Sequence, residues 1–462
     1  MKPNNNLENI LQRRGVGLLG GGVLAVIFSI AAFAPMPHPD ATGSIDTGAV
    51  AWMLTASGLV LLMTPGLSYF YGGMVNSRNV ISTMLQSFVA LGVVSILWYV
   101  VGFSLAFGDS IGGIIGDPRT FLFFNNVGTA PHPHIGGGLP LLLFAAFQLK
   151  FAIITPALIT GSFAERVRFR GYTVFIILFT LLVYCPLAHA TWHPDGILAK
   201  AGILDFAGGT VVHVSAGLAA LAGAMFLGRR HSHTKGEAAS PTNIPYVILG
   251  TGLLWFGWFG FNAGSALGAN GIAITSFVTT NLASASAMIT WMLIDVARGQ
   301  KPTALGACIG AVVGLVAITP GAGFVGIGSS LLIGAVAALA SNFAVHWKTQ
   351  TNIDDTLDVF PCHGVGGMVG MILTAVFATT GGLITGSPDL LIRHIIALIA
   401  VSIIVFVISY LLFYISAWIT PLRVTLEHEL IGLDLSQHGE TVMEVGSIGD
   451  TRGGLIEVPV EA

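Results

Sequence analysis

Apolar residues fall into long blocks separated by short polar or Gly/Pro-rich connections, with few charges inside the blocks. A helix that crosses a bilayer needs roughly 17–25 mostly apolar residues. After the first 40 residues eleven blocks reach that length, at about 47–73, 80–107, 138–161, 170–190, 206–228, 244–263, 272–296, 303–319, 322–346, 360–380 and 391–420. Helical periodicity adds little, because lipid-facing and packed faces are both apolar. An earlier run from Val16 to Phe33 follows Lys2, Arg13 and Arg14 and ends Ala32-Phe33-Ala34. A basic region, an apolar run and a small-x-small site form a secretory signal, so 1–34 reads as a signal peptide cleaved after Ala34. An uncleaved extra helix is the alternative.

Composition turns these blocks into a class. Of 462 residues, 54% are hydrophobic and 9% charged, against a usual charged share of about 25%. So few charges cannot cover a soluble surface, and the expected fold is an all-α polytopic membrane protein. A net charge of −3 gives no basic footprint for nucleic acid. Cys185, Cys308 and Cys362 lie in or beside apolar stretches without metal-ligand spacing. The 60 glycines suit helices that pack closely through small residues.

Lys and Arg set the orientation. With the connection after the first block in the cytoplasm, that side holds Arg78, Arg166, Arg168, Arg170, Arg229, Arg230, Lys235, Arg298, Lys301, Lys348 and Arg423. The other side holds Arg119, Lys200 and Arg393. The eleven-helix domain, 45–420, is therefore N-out/C-in, with 421–462 as a cytoplasmic tail.

Ionisable residues inside such blocks are costly and mark function. Asp205 opens the fifth block in LDFAGGTVVHVSAG, and His213 follows eight residues later, about 12 Å deeper at a helical rise of 1.5 Å. Asp358 precedes the tenth block in LDVFPCHGVGGMVG, with His363 five residues later. An acid, a His and a glycine-rich helix thus occur once in each half. This predicts two inverted five-helix repeats plus a final helix, and inverted repeats place a substrate path at their interface. Counting from Asp358 leaves His363 shallow unless the chain dips into the membrane there. Asp205 also fits a helix N-cap, a role compatible with function. No third or fourth ligand accompanies the two histidines, so neither a metal nor another cofactor is expected.

Aromatics form a second constellation. Phe147 and Phe151 share a helix face, Trp255, Trp258 and Phe261 cluster in WFGWFGFNAGS, and Trp192 is expected in the loop before the fifth block. They read either as interfacial anchors or as a cation–π site at an outer vestibule.

The strings DFAGGTVVH, GWFGFNAGS, FAERVRF and DVFPCHGVGG, in this order, resemble the ammonium transporter (Amt/Mep/Rh) family, Amt branch, from about residue 45 to GLDLSQHGE at 432–440. The resemblance implies a homotrimer with one pore per subunit and ammonium or ammonia as substrate. It assigns Trp192 and Phe151 to cation–π contact, Ser265 to a hydrogen bond and Phe147 to the same mouth. It makes Phe151 and Phe261 the stacked gate, His213 and His363 the paired histidines of the lumen, and Asp205 the acid below the recruitment site. It also implies a PII-type regulatory protein at the cytoplasmic face, and a tail that packs beneath neighbouring subunits with Ser436 at a regulatory position. The expected function is electrogenic: ammonium loses its proton at the mouth, ammonia crosses, and the histidines relay the proton. An ammonium sensor and a neutral channel of the Rh type are the alternatives. Sensors carry a soluble output domain for which this tail is short, and the Amt-like Trp192 and Ser265 weigh against Rh. No nucleotide loop or activated nucleophile suggests an enzyme. Lys150, beside Phe151, and the loop around His193–Asp195 depart from the family pattern; Lys150 reads as snorkelling or as pairing across a trimer contact.

Overall fold

The computed structural model describes residues 5–34, 45–237 and 241–442. Among them ten helices are long and apolar enough to cross a membrane: Thr47–Met74, Ser77–Phe107, Leu141–Phe163, Phe169–Lys200, Gly209–Leu227, Ile244–Gly264, Gly271–Ala297, Ile327–Thr349, Phe360–Phe377 and Asp389–Ile419. The block expected at 303–319 is the helix Ala304–Ile318, whose 15 residues span about 22 Å, short of a ~30 Å hydrocarbon core. The run expected as a signal lies on the helix Asn5–Ala32, where Leu18, Val26 and Phe28 are exposed.

The fourth block is longer than its hydropathy suggests. A π-helical turn at Thr180–Tyr184 leads into Cys185–Trp192, which accommodates Pro186 in its first turn. Within Phe169–Lys200 the helix breaks after Trp192 and resumes at Ile197, so Trp192 ends a helical stretch and does not sit in the loop expected from the sequence. The apolar run fades at His189, but that ring is buried and both its nitrogens are bonded, to Ala106 O at 3.0 Å and Ser110 Oγ at 2.8 Å. A satisfied polar side chain is tolerated inside a helix, which a hydropathy window cannot register.

Thr47–Met74 lies along Ile244–Gly264, the first helices of the two expected halves, with backbones almost touching. A Cβ at Gly250 would stand 2.3 Å from the amide nitrogen of Phe70, so only glycine fits that crossing.

At the end bearing the FAERVRF string, charges hold three connections together. Arg166 is fully buried and donates to Thr356 Oγ1 at 2.7 Å, to Asp354 O at 2.5 Å and to Ser162 O at 3.2 Å. Arg230 bridges Glu165 at 2.7 Å and Asp354 at 2.9 Å. The tail joins the same region of its own subunit: Arg423 donates to Leu227 O and Arg229 O at 2.7 and 2.6 Å. Asp434 accepts from the Ile81 and Ser82 amides at 3.0 and 2.7 Å, capping the start of the Val80 helix. Residues 443–462 of the expected tail lie outside the described residues.

Burial pushes the Asp354 carboxyl upward, but the charges of Arg166 and Arg230 and the hydrogen bonds from Arg230 outweigh it and hold its pKa below the ordinary value. A depressed carboxyl stabilises the fold above its unfolded pKa of ~3.9 and loses that contribution as pH falls through the folded value. Arg230→Ala strips a cation from two buried carboxylates and is expected to cost about 3–5 kcal/mol. Melting of the detergent-solubilised protein tests this. The gap between wild type and variant should narrow below about pH 4, and equal melting at neutral pH refutes the cluster's role.

Candidate functional site

Two helices begin inside the protein. Gly209–Leu227 and Phe360–Phe377 have only 19 and 18 residues, and the chain leading into each is buried at Ile203, Asp205, Asp354 and Asp355. A helix that starts away from water leaves its first amides unpaired. Asp205 meets this with both oxygens: Oδ1 accepts from the Gly208 and Gly209 amides at 2.9 and 2.5 Å, and Oδ2 from the Thr210 amide at 2.7 Å and the Thr210 hydroxyl. Asp355 does the same for the second helix, accepting from Val359 N at 3.1 Å and Phe360 N at 2.7 Å.

The acid matching Asp205 is therefore Asp355, eight residues before His363, and the sequence pairing of Asp358 with His363 is corrected. Asp358 adopts a left-handed backbone with φ of 58° and pairs instead with Lys348 at 2.5 Å. With Asp355 as the reference both halves have one spacing, and the chain's dip into the protein removes the apparent shallowness of His363. Each helix opens with a π-helical turn, Gly209–Val214 or Phe360–Val365, and each turn carries the histidine. Such turns widen the helix locally and re-aim a side chain.

The two helices cross where Gly217 meets Gly364. A Cβ on Gly217 would lie 2.2 Å from the Gly364 amide nitrogen, so the absence of side chains sets this approach. It brings His213 Nδ1 within 3.3 Å of His363 Nδ1. Both rings are buried, His213 stacks on Trp258 at 5.3 Å, and its Nε2 has no partner among the described residues. Two imidazole nitrogens at this distance need one hydrogen between them. In the neutral pair one Nδ1 donates and the other accepts. One ring then has a bare Nε2 and the other an Nε2–H.

From His213 a series of aromatic rings leads away. Phe261 lies 6.0 Å from His213 and stacks at 4.2 Å, tilted 31°, on Phe151. Beyond Phe151 opens a cavity of about 230 Å³ lined by Trp192, Ser265, Gln148, Phe107 and His134, among others. Trp192 stands edge-on to Phe151 at 5.8 Å, and its indole N–H donates to Asp205 O at 3.0 Å, tying its orientation to the capped turn. Ser265 Oγ donates to Phe261 O at 2.8 Å, which leaves its lone pairs free to accept. Phe147 is placed differently. It packs behind Phe151 at 4.9 Å, against Gly264, and does not line the cavity. Lys150 is half-buried on the same helix, away from the cavity lining and without an ion-pair partner among the described residues.

Comparison with known proteins decides the family. The model of the Ammonium Transporter Family matches residues 51–443. The chain belongs to that family. It is 44% identical to an ammonium transporter of Aquifex aeolicus over 434 residues, covering 92% of this chain and 99% of that protein. It is also 44% identical to an ammonium transporter of Bacillus subtilis over 407 residues, covering 86% and 98%. Its fold resembles crystalline Mep2 of Saccharomyces cerevisiae, with a TM-score of 0.78 and 35% identity over 85% of this chain and 93% of that one. It likewise resembles a structure described as a sensor Amt protein, with a TM-score of 0.79 and 30% identity over 85% and 98%.

In this member of the Ammonium Transporter Family the structure adds residues that sequence reasoning passes over. Thr210 is a fourth donor to Asp205. His394, buried near the start of the Asp389–Ile419 helix, accepts from the Leu204 amide through Nε2 at 3.0 Å and faces Met371 O through Nδ1 at 2.9 Å. The carbonyl can only accept and the amide can only donate, so Nδ1 carries the proton. His394 therefore holds the residue before Asp205 in place. The signal was present, a histidine within a 31-residue apolar helix, but its partners lie about 190 and 23 residues away. His394→Leu leaves an amide and a carbonyl unpaired and is expected to cost about 1–3 kcal/mol and to reduce uptake of labelled methylammonium per inserted protein. His394→Gln, which can still accept and donate, should restore part of both. Wild-type uptake in the Leu variant refutes the positioning role.

Proposed function

We propose that this ammonium transporter recruits the cation at the Trp192–Ser265 cavity, removes its proton there, and passes ammonia along the His213–His363 passage while the proton travels separately. The observation that carries this reading is the buried imidazole pair, 3.3 Å between Nδ1 atoms, behind two stacked phenylalanines 4.2 Å apart. An ion entering so apolar a space loses its hydration without replacement and is rejected. Neutral ammonia loses far less. Ammonium and potassium are similar in size, so discrimination rests on what potassium lacks, directed N–H donors and a proton to give up. Ser265 Oγ accepts one such donor, and Trp192 with Phe151 offers π faces, a contribution of about 0.5–2 kcal/mol.

Asp205 is not the base in this reading. All its accepting capacity faces the four donors of its own turn, so taking a proton would undo the cap that shapes the mouth. Its charge favours a cation nearby and its carbonyl orients Trp192. The bare Nε2 of one histidine, joined through the shared Nδ1 hydrogen to the other, supplies a path for the proton and makes transport electrogenic.

The lysine and arginine distribution puts the Trp192 end outside and the Arg166 end in the cytoplasm of a cell membrane, with Ala304–Ile318 counted as a crossing to complete two inverted five-helix halves plus the final helix. The homotrimer, the PII-type partner and the regulatory place of Ser436 belong to this reading through family resemblance, as does transport without enzymatic turnover. Full-length protein in liposomes should give a saturable transient current on an ammonium jump and none on potassium or sodium jumps. His213→Ala should abolish that current, and Trp192→Leu should raise the half-saturating ammonium concentration about 2–30-fold. An unchanged, ammonium-selective current in His213→Ala sinks the relay. No current from inserted wild-type protein points to a sensor or a neutral channel.

A further inference from the structure

A furrow of about 590 Å³ runs along the outside of the bundle between Asp389–Ile419 and Phe169–Lys200. We propose that it binds an anionic diacyl phospholipid, one acyl chain lying in the furrow and the phosphate on Arg393. On Asp389–Ile419 the residues Arg393, Ala397, Ala400, Ile404 and Ile408 line it, at spacings of three and four that form one stripe. From Arg393 to Ile408 the stripe is about 22 Å long at a helical rise of 1.5 Å, longer than the ~15 Å hydrocarbon depth of one leaflet. Leu182 and Ile197 contribute to the opposite wall. Both walls belong to segments long and apolar enough to cross the membrane, so the furrow opens toward lipid.

Charge selects the headgroup. Arg393 stands at the Trp192 end of the furrow, the sole charged side chain in its lining among the described residues. Its Nε and Nη1 donate to the Asp389 and Ala201 carbonyls at 3.3 and 3.1 Å, and no carboxylate lies within ion-pair distance among the described residues. A guanidinium has five N–H donors, and those left over match a phosphate's paired oxygens. A stripe about 22 Å long beside a cavity of about 590 Å³ is unlike the broad face of ~800 Å² per partner that a stable protein contact needs. Arg393 also grips Ala201, and its neighbour His394 grips Leu204, so a phosphate here would touch the segment that leads into Asp205.

The test uses full-length protein in phosphatidylcholine nanodiscs carrying a small fraction of phosphatidylglycerol with a photoactivatable acyl chain, the labelled peptides being mapped by mass spectrometry. Labels should concentrate on residues 396–408 and 182–190 and fall about fivefold in Arg393→Gln. A phosphatidylcholine probe, whose phosphate is balanced by its own choline, should lose less labelling than phosphatidylglycerol in that variant. Ala400→Phe, which fills the furrow without touching the charge, should lower labelling by both probes. Equal phosphatidylglycerol labelling in wild type and Arg393→Gln overturns the proposal. So does labelling of these peptides no higher than that of other lipid-facing helices, the result expected if a second subunit covers the furrow.

Discussion

Backbone amides cannot be left bare where there is no water, and this molecule starts two helices in such a place. Asp205 and Asp355 meet that constraint, and the rest of the site depends on them. Each carboxylate collects the first amides of its helix, fixes where the helix begins, and thereby fixes how deep the histidine eight residues later will stand. Hydrocarbon-depth structure permits irregular backbone only when it is enclosed and its polar groups are paired. The two capped starts satisfy that condition from opposite ends of the bundle, which is why their histidines meet.

Meeting also requires room. Gly217 and Gly364 remove the side chains that would hold the helices apart, and the π-helical turns direct the imidazoles toward each other. The ring order Trp192, Phe151, Phe261, His213 and Trp258 then forms a nearly continuous aromatic wall with centroid separations of 4.2–6.0 Å. Polar atoms along it are few and already committed: Trp192 to Asp205, Ser265 to Phe261, Trp258 to Thr319. What is left uncommitted is a small set of lone pairs, and these set what a visiting molecule can bond to.

Much of this was legible in the sequence. The long apolar blocks marked the membrane helices, and His213 stood out because an ionisable group within such a block has few innocent explanations. The strings around Asp205 and His363 carried the family. What stayed hidden shares a physical cause, namely that hydropathy measures composition and not pairing. Asp355 sits among Asp354 and Asp358, and only the eight-residue spacing of the other half singles it out. Hydropathy alone puts Trp192 in a loop because the apolar run fades at His189, although His189 is buried and bonded. The apolar block at 303–319 reaches spanning length, yet only the 15 residues Ala304–Ile318 of it are helical, and Phe147 shares a helical face with Phe151 without sharing its cavity. His394 acts on Leu204 across nearly the whole of the second half, a distance no local pattern spans.

The hydrogen shared between His213 and His363 has a directional consequence. Because a single proton sits between the two Nδ1 atoms, the neutral pair has a head and a tail, one end able only to receive and the other only to release. When a proton enters at the bare end and another leaves at the far end, the hydrogen between the rings shifts across and the polarity of the pair is reversed. The pair is then set against a second passage in the same sense. Under the proposed relay the pair is a turnstile with memory of its last event, and each cycle includes a step that turns it back.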